Sequence, residues 1–440
     1  MKRLLILAYD FPPYVSVGGL RPYAWYKYLK KYGVYPIVIT RQWENKYGNE
    51  LDYIAPSATN ETIVEETELG TIIRTPYKPN LANKILLKYG THKFAFIRKF
   101  VSCYYEFAQF FFNVGPKSCI YRGARNYLKI KSVDAIIATG EPFVLFKYAS
   151  QLSKKYNTPW IADYRDPWTQ DNNRSKNWLF QTRNTFAETK YTRNASCITT
   201  VSEFFAQKIT SLVNKKAFII ANGYDSEAVQ SVKHIAQKSD KLRFAYVGTI
   251  YKYHPLESVL DCFNQLVLNN ALDAFEFNFF GIKDHIGIEN LLTEKFQALK
   301  PYVTIFPRIT NNKLLPLLAE HNVFLLFNDY RIVGTKIYDY LALQRNILFC
   351  YANDESALKL KQLYYNNGNN TSCPQEDIIT KTKSGIIVQN QAHLATILPQ
   401  LYKEFSTNGC IACSSVNTTQ YSREQQVEKL AELVNHLENI

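Results

Sequence analysis

The segment Trp160-Ile161-Ala162-Asp163-Tyr164-Arg165-Asp166-Pro167-Trp168 places three ionisable side chains within four residues, directly after an apolar run. If that run is a parallel strand, they emerge at its carboxyl end, where doubly wound sheets bind ligands. A carboxylate beside an arginine stays ionised. Asp163, Arg165 and Asp166 therefore suit orientation of a hydroxyl, or stabilisation of a cationic transition state, better than proton donation. The other reading is an Asp–Arg pair that ties the strand end to the next helix.

Three further segments suit anions. Asp10 to Arg21, DFPPYVSVGGLR, joins an apolar run to a helical pattern. Gly18 and Gly19 there permit close backbone approach and free N–H groups at a helix start, with Arg21 adding charge; a tight turn needing positive φ is the alternative. Gly334-Thr335-Lys336-Ile337-Tyr338-Asp339 opens a second helix with a glycine, a hydroxyl and a lysine, and sets Asp339 one turn in to accept hydrogen bonds. A plain helix cap would look the same. Gly248, at the end of Tyr246-Val247-Gly248, leaves room for a ligand that Lys252 could reach, and Arg308 follows another apolar run. The chain has no GxGxxG, which counts against a nicotinamide or flavin enzyme.

These segments need a scaffold with several parallel strand ends on one edge. Short apolar runs bounded by turn residues recur at helix-length intervals, the pattern of strands buried on both faces. The first series is Leu4 to Ala8, Ile37 to Thr40, Ala135 to Thr139, Trp160 to Ala162, Cys197 to Val201 and Phe218 to Ala221. A polar stretch from Asn222-Gly223 to Asp240 reads as a linker. The second series is Leu242 to Val247, Phe275 to Phe280, Val303 to Phe306, Val323 to Phe327, Ile347 to Tyr351 and Gly385 to Val388. The predicted architecture is α/β, with two doubly wound Rossmann-like domains over 1–225 and 226–415 and a closing helix in 416–440 whose apolar face is Val427, Leu430, Val434 and Leu437. The asparagine-rich stretch from Tyr364 to Gln375 reads as a flexible excursion.

The chain is 46% hydrophobic, enough for a substantial core in each domain, and its formal charge of +14 calls for an anionic partner. No zinc finger, RNP-like aromatic motif or recognition helix accompanies that charge, so nucleic acid is not the expected partner. Eight scattered cysteines fit reduced thiols in a cytosol, and the Cys410-x-x-Cys413 pair lacks two further zinc ligands at a usual spacing. The apolar run after Met1-Lys2-Arg3 stops at Tyr9-Asp10, too soon for a signal peptide, and no run approaches the ~18 residues that span a bilayer. From Lys84 to Phe112, basic residues interleave with Ile85, Leu86, Leu87, Phe94, Phe96, Ile97 and Phe100. A helix lying on an anionic membrane has this pattern, and so has one packed on its own domain with a solvated basic face.

Taken together, DFPPYVSVGGLRPYAWYKYLKKYG, WIADYRDPW, ITTVSEFFAQKI, NGYD, YVGTIY and GTKIYDYLALQRNIL resemble the bacterial glycosyltransferases of family four. The resemblance runs over nearly the whole chain and is poorest from Gln42 to Ser132 and from Asp354 to Thr382. It implies the GT-B architecture, two Rossmann-like domains facing a central cleft, with a nucleotide-sugar donor held by the second and the acceptor by the first. It also implies transfer with retention, no cofactor and no metal ion. The absence of any DxD triplet agrees with that expectation.

By the same resemblance, Gly18 and Gly19 approach the donor diphosphate, with Arg21, Gly248, Lys252, Thr335, Lys336 and Asp339 as donor-binding residues. Arg165-Asp166 stand where many relatives have His-Asp, so Asp166 or Asp163 must supply the contact to the reacting sugar. Asp339 matches the second of two family glutamates, and Arg331 replaces the first. The expected function is sugar transfer to a surface polysaccharide or lipid-linked glycan, in the cytoplasm or at the inner membrane face. The missing histidine and glutamate keep a catalytically inactive glycan- or nucleotide-binding scaffold as the alternative.

Overall fold

The structure is a computed structural model and describes residues 1–44, 51–170, 177–330, 333–364 and 373–439. It divides into two compact units, Met1–Ala221 with Glu424–Ile440, and Asn222–Arg423.

Unit 1 is built on an eight-stranded sheet: β1 (Lys2–Leu7), β2 (Val34–Arg41), β3 (Ile63–Glu66), β4 (Thr71–Thr75), β5 (Ala135–Gly140), β6 (Trp160–Tyr164), β7 (Cys197–Thr200) and β8 (Ala217–Ile219), in the order β3-β4-β2-β1-β5-β6-β7-β8. All neighbours pair in parallel except β3, which is antiparallel on β4. Its helices are α1 (Val17–Tyr28), α2 (Leu81–Tyr89), α3 (Ala95–Ala108), α4 (Ser118–Leu128), α5 (Val144–Tyr156), α6 (Trp178–Thr192) and α7 (Glu203–Thr210). The central strands are buried on both faces, which is why Leu4 to Leu7 and Ala135 to Ala138 read as unbroken apolar runs. β3 and β4 add two strands to the six predicted. β3 is an edge strand with Ile63 and Val64 exposed, so no buried run marks it.

Unit 2 has six parallel strands: β9 (Leu242–Val247), β10 (Phe275–Phe280), β11 (Val303–Phe306), β12 (Val323–Phe327), β13 (Asn346–Cys350) and β14 (Gly385–Val388), ordered β11-β10-β9-β12-β13-β14. Each sheet reverses direction once, between β1 and β5 in unit 1 and between β9 and β12 in unit 2. Loops after strands at such a switch point flank a ready-made crevice.

The polar stretch from Asn222 is no free linker. Tyr224 N–H donates to Tyr421 O at 3.1 Å and Arg423 N–H to Tyr224 O at 2.9 Å, so the two crossing segments run side by side. A Cβ at Gly223 would lie 2.6 Å from Tyr421 O, which explains the glycine by close approach. Asp225 then caps a short helix, Ser226–Gln230. The division consequently falls at Ala221/Asn222 and at Arg423/Glu424, not after 225 and 415. The last helix, Arg423–Asn435, and the turn after it bury Val427, Leu430, Val434 and Leu437 in the core of unit 1. Of the predicted excursion from Tyr364 to Gln375, residues 365–372 lie outside the described residues, while Pro374 starts a helix that runs to Thr382.

Unit 2 buries a histidine whose protonation opposes folding. His321 Nδ1–H donates to Leu317 O at 2.8 Å while Nε2 accepts from Asn278 at 3.0 Å, and burial lowers its pKa from 6.5 to about 4. The folded state thus holds a neutral ring where the unfolded chain takes up a proton. The stabilisation is complete above about pH 6.5 and is lost as pH falls to 4, amounting to about 3 kcal/mol. Denaturant melts of the protein between pH 7 and 4 are expected to show this decline for unit 2, and His321→Gln is expected to flatten it.

Candidate functional site

In unit 1 the switch point gathers the loops after β1, β5 and β6. Asp163, in β6, is fully buried, and both its oxygens are engaged. Arg21 donates to it through Nε at 3.1 Å and Nη2 at 2.7 Å, and the hydroxyls of Thr139 and Thr199 donate at 2.8 and 2.7 Å. Arg21 Nη1 caps Ile220 O at 2.6 Å and Ala221 O at 3.2 Å. This is a clamp joining α1 to β5, β6, β7 and the end of the β8 segment. Neither side chain faces an open site, which corrects two expectations. Arg21 is not presented to an anion, and Asp163 has no lone pair turned toward a sugar.

Arg165 and Asp166 are different. Arg165 Nε donates to Asp166 at 3.2 Å, and the Asp166 side chain is 39% exposed. Two anchors fix their loop. Trp168 stacks on Phe143 with centroids 4.8 Å apart and on Phe110 at 5.2 Å. Glu188 of α6, buried, accepts from Thr169 N–H at 3.2 Å, Thr169 Oγ1 at 2.6 Å, Gln170 at 3.0 Å and the Tyr164 hydroxyl at 3.0 Å; burial raises its pKa against those donors.

The glycine pair divides its roles. Neither residue has positive φ, so the tight-turn explanation fails. Gly19 N–H donates to Ser16 Oγ at 3.1 Å, closing the cap of α1, and Ser16 Oγ donates to Asp10 at 2.8 Å. The anion at this helix start is thus the protein's own Asp10. Burial raises the pKa of Asp10, with the Ser16 hydrogen bond and Arg165 opposing, and its Oδ1 has no partner among the described residues. Gly18 is needed sterically: a Cβ there would overlap Arg165 Nη1 and lie 2.7 Å from Asp10 Oδ2, whereas at Gly19 the nearest atom is at 3.5 Å. Gly18→Ala is expected to push the flexible Arg165 tip aside, shifting the NMR signal of its guanidinium while the melting temperature holds; Gly19→Ala is expected to behave as wild type in both measurements. Asp10 and Glu141, which acts electrostatically on it, were not singled out in the sequence, although each directly follows an apolar run.

In unit 2, β9 is followed by Gly248, whose φ of 116° is a positive-φ requirement. Beyond it Lys252 is exposed, with no hydrogen bond or ion pair among the described residues. The adjacent strand β12 leads to the helix Lys336–Leu343. Among the described residues Thr335 makes no side-chain cap; Lys336 Nζ lies 3.3 Å from Asp339 Oδ2, and Asp339 is buried. Gly334 has open space where a Cβ would stand and no positive φ. Tyr340 ties this helix to β9, accepting from Val247 N–H at 3.0 Å. Tyr253 donates to Asp329 at 3.0 Å, bridging the loops after β9 and β12. Both residues escaped sequence reasoning, because their partnership spans 76 residues. Arg308 is exposed beyond β11, two strands from β9, and Arg331 lies outside the described residues.

No protein-family model matches the sequence, and no curated protein matches it. Solved structures do match along the whole chain. Sucrose-phosphate synthase from Thermosynechococcus elongatus has a TM-score of 0.60 at 14% identity, covering 100% of both chains. A glycosyltransferase from Rickettsia africae scores 0.57 at 12% identity, covering 99% of this chain and 98% of its own. The chain has the GT-B fold. A trehalose-6-phosphate protein from E. coli, bound with UDP-2-fluoro glucose, shares that GT-B fold with a TM-score of 0.55 at 10% identity, covering 99% and 97% of the two chains.

Proposed function

We propose that the protein is a retaining glycosyltransferase that moves a sugar from a nucleotide-diphosphate donor to a surface polysaccharide or lipid-linked glycan, without a metal ion. It works in the cytoplasm, at the inner face of the membrane. The observation that supports the reading is topological: Gly248 and Lys252 follow β9, and Thr335, Lys336 and Asp339 follow β12, the two strands that meet at the switch point of unit 2. An uncapped helix start with two lysines favours a diphosphate, and a buried carboxylate one turn in can accept from a sugar or ribose hydroxyl. UDP-2-fluoro glucose on the E. coli structure of the same fold supports this donor class. Family-four resemblance supports retention and the polysaccharide acceptor.

Charge develops on the diphosphate as the sugar departs. Lys252, Lys336 and the helix start beside Thr335 are assigned to stabilise it, a preorganised electrostatic arrangement. Arg165 and Asp166 are assigned to the reacting sugar, with Gly18 admitting the guanidinium and Asp10 steadying it. Gly19 and Arg21 support that wall from behind.

The test is a thermal-shift series with nucleoside diphosphates and their sugars. A donor at about a hundred times its Kd is expected to add roughly 2.7 kcal/mol to the folded state, raising the melting temperature by several degrees. A flat response to every nucleotide overturns the reading. Release of nucleoside diphosphate from the matching donor, lost in Asp166→Asn, then separates a transferase from an inactive scaffold.

A further inference from the structure

The hairpin α2–α3 is not needed to cover the sheet, because α4 already packs on β1, β2 and β4. The two helices pack on each other, with Tyr89 and Phe94 edge to face at 5.3 Å. On α3 the residues Phe96, Phe100, Tyr104 and Phe107 recur at spacings of four, four and three, a single helical face, and Phe111 follows in the turn beyond it. That face points away from the protein. Phe96 is 84% exposed and Phe100 70%, the other three are exposed too, and Ala108 alone is buried on α3. An apolar stripe this long is rarely left to water in a monomer.

Its surroundings are strongly basic. From Leu81 to Ala108 the hairpin carries Lys84, Lys88, Lys93, Arg98 and Lys99 against one acid, Glu106. Lys84, Lys88, Lys93 and Lys99 lie on or beside the hairpin and are exposed. No helix among the described residues is long and apolar enough to cross a membrane.

We infer that the outward face of α3, with its lysine flanks, docks the protein on an anionic lipid surface. Aromatic side chains enter the headgroup boundary while lysines meet lipid phosphates, the chemistry of an interfacial amphipathic helix. A second copy is a poor occupant, since symmetric pairing would set this basic field against itself. Trp178, 70% exposed, and Leu179 and Phe186 extend the apolar surface on α6. That helix is joined to the hairpin by Arg183, which donates to Glu106 O and stacks over Phe110 at 4.8 Å. Buried Lys147 donates to Gln109 O at 2.7 Å and Tyr191 to Phe110 O, so the foot of α3 is fastened while its length projects. Phe110 also stacks on Trp168, placing the docking element next to the Arg165–Asp166 loop. In the transfer reading, this brings a lipid-linked acceptor to that loop; the docking itself stands without it.

Flotation of the full chain with phosphatidylcholine vesicles, with and without phosphatidylglycerol, tests the inference without donor or acceptor. Binding is expected only with the anionic lipid and is expected to fall steeply with salt. Phe96→Ser with Phe100→Ser, and separately Lys84→Gln with Lys88→Gln and Lys99→Gln, are each expected to weaken it at least about tenfold at unchanged melting temperature. Ile286→Ser, an exposed apolar control in unit 2, is expected to bind as wild type. Absence of binding to anionic vesicles, equal binding to neutral ones, or unaffected double-Phe binding overturns the inference. So does a dimer that the Phe substitutions dissolve in a protein that ignores vesicles.

Discussion

Asp163→Asn is expected to lower the melting temperature of unit 1 by roughly 10 °C. The substitution leaves Arg21 buried with no counter-charge, and breaking one side of such a pair costs about 3–5 kcal/mol. For a domain of this size each kcal/mol is worth about 2–4 °C. Arg21→Met is expected to be as damaging, because it strands the carboxylate that Thr139 and Thr199 alone then satisfy. The double variant is expected to recover much of the loss, since no unpaired charge remains. Scanning calorimetry on the three variants measures the coupling. A wild-type melt for Asp163→Asn, together with a collapse of turnover, would instead place Asp163 at the reacting sugar.

Lys336→Ala is expected to do the opposite, leaving the fold intact and removing activity. The Lys336 side chain is 32% exposed and its pair with Asp339 spans 3.3 Å, so water can reach the lysine side of the pair and its loss is expected to cost less stability than breaking the fully buried Arg21–Asp163 clamp. A preorganised contact to the leaving diphosphate, by contrast, is worth roughly 3 kcal/mol, about a hundredfold in kcat. Asp166→Asn is expected to match it in loss of transfer, because Asp166 is partly exposed and Arg165 is its ion-pair partner among the described residues. Initial rates with the donor found by thermal shift check both. Wild-type turnover in the two variants removes them from the mechanism.

The strands were legible because burial on both faces demands continuous apolar runs, as in Val323 to Phe327. β3 was not, since an exposed antiparallel edge imposes no such demand. Arg21 shows the limit at the site. Its place in the first turn of α1 suggested an anion in solution, but its partner is a carboxylate 142 residues away, and only folding brings the two together. Gly18 was singled out as a place where a ligand could approach closely, whereas what approaches in the structure is Arg165, and neighbouring glycines with identical sequence signals differ in whether a methyl group fits. The amphipathicity of α3 was visible, but the direction its apolar face takes depends on which helix already covers the sheet.

The closing helix sets an order of events during synthesis. The core of unit 1 is incomplete until Val427, Leu430, Val434 and Leu437 arrive, whereas every residue of unit 2 lies in one uninterrupted stretch that ends at Arg423. On a ribosome adding about 5–20 residues per second, the domain begun first is therefore the domain finished last. Its sheet, complete once β8 is made, waits with part of its core uncovered while the second domain is synthesised.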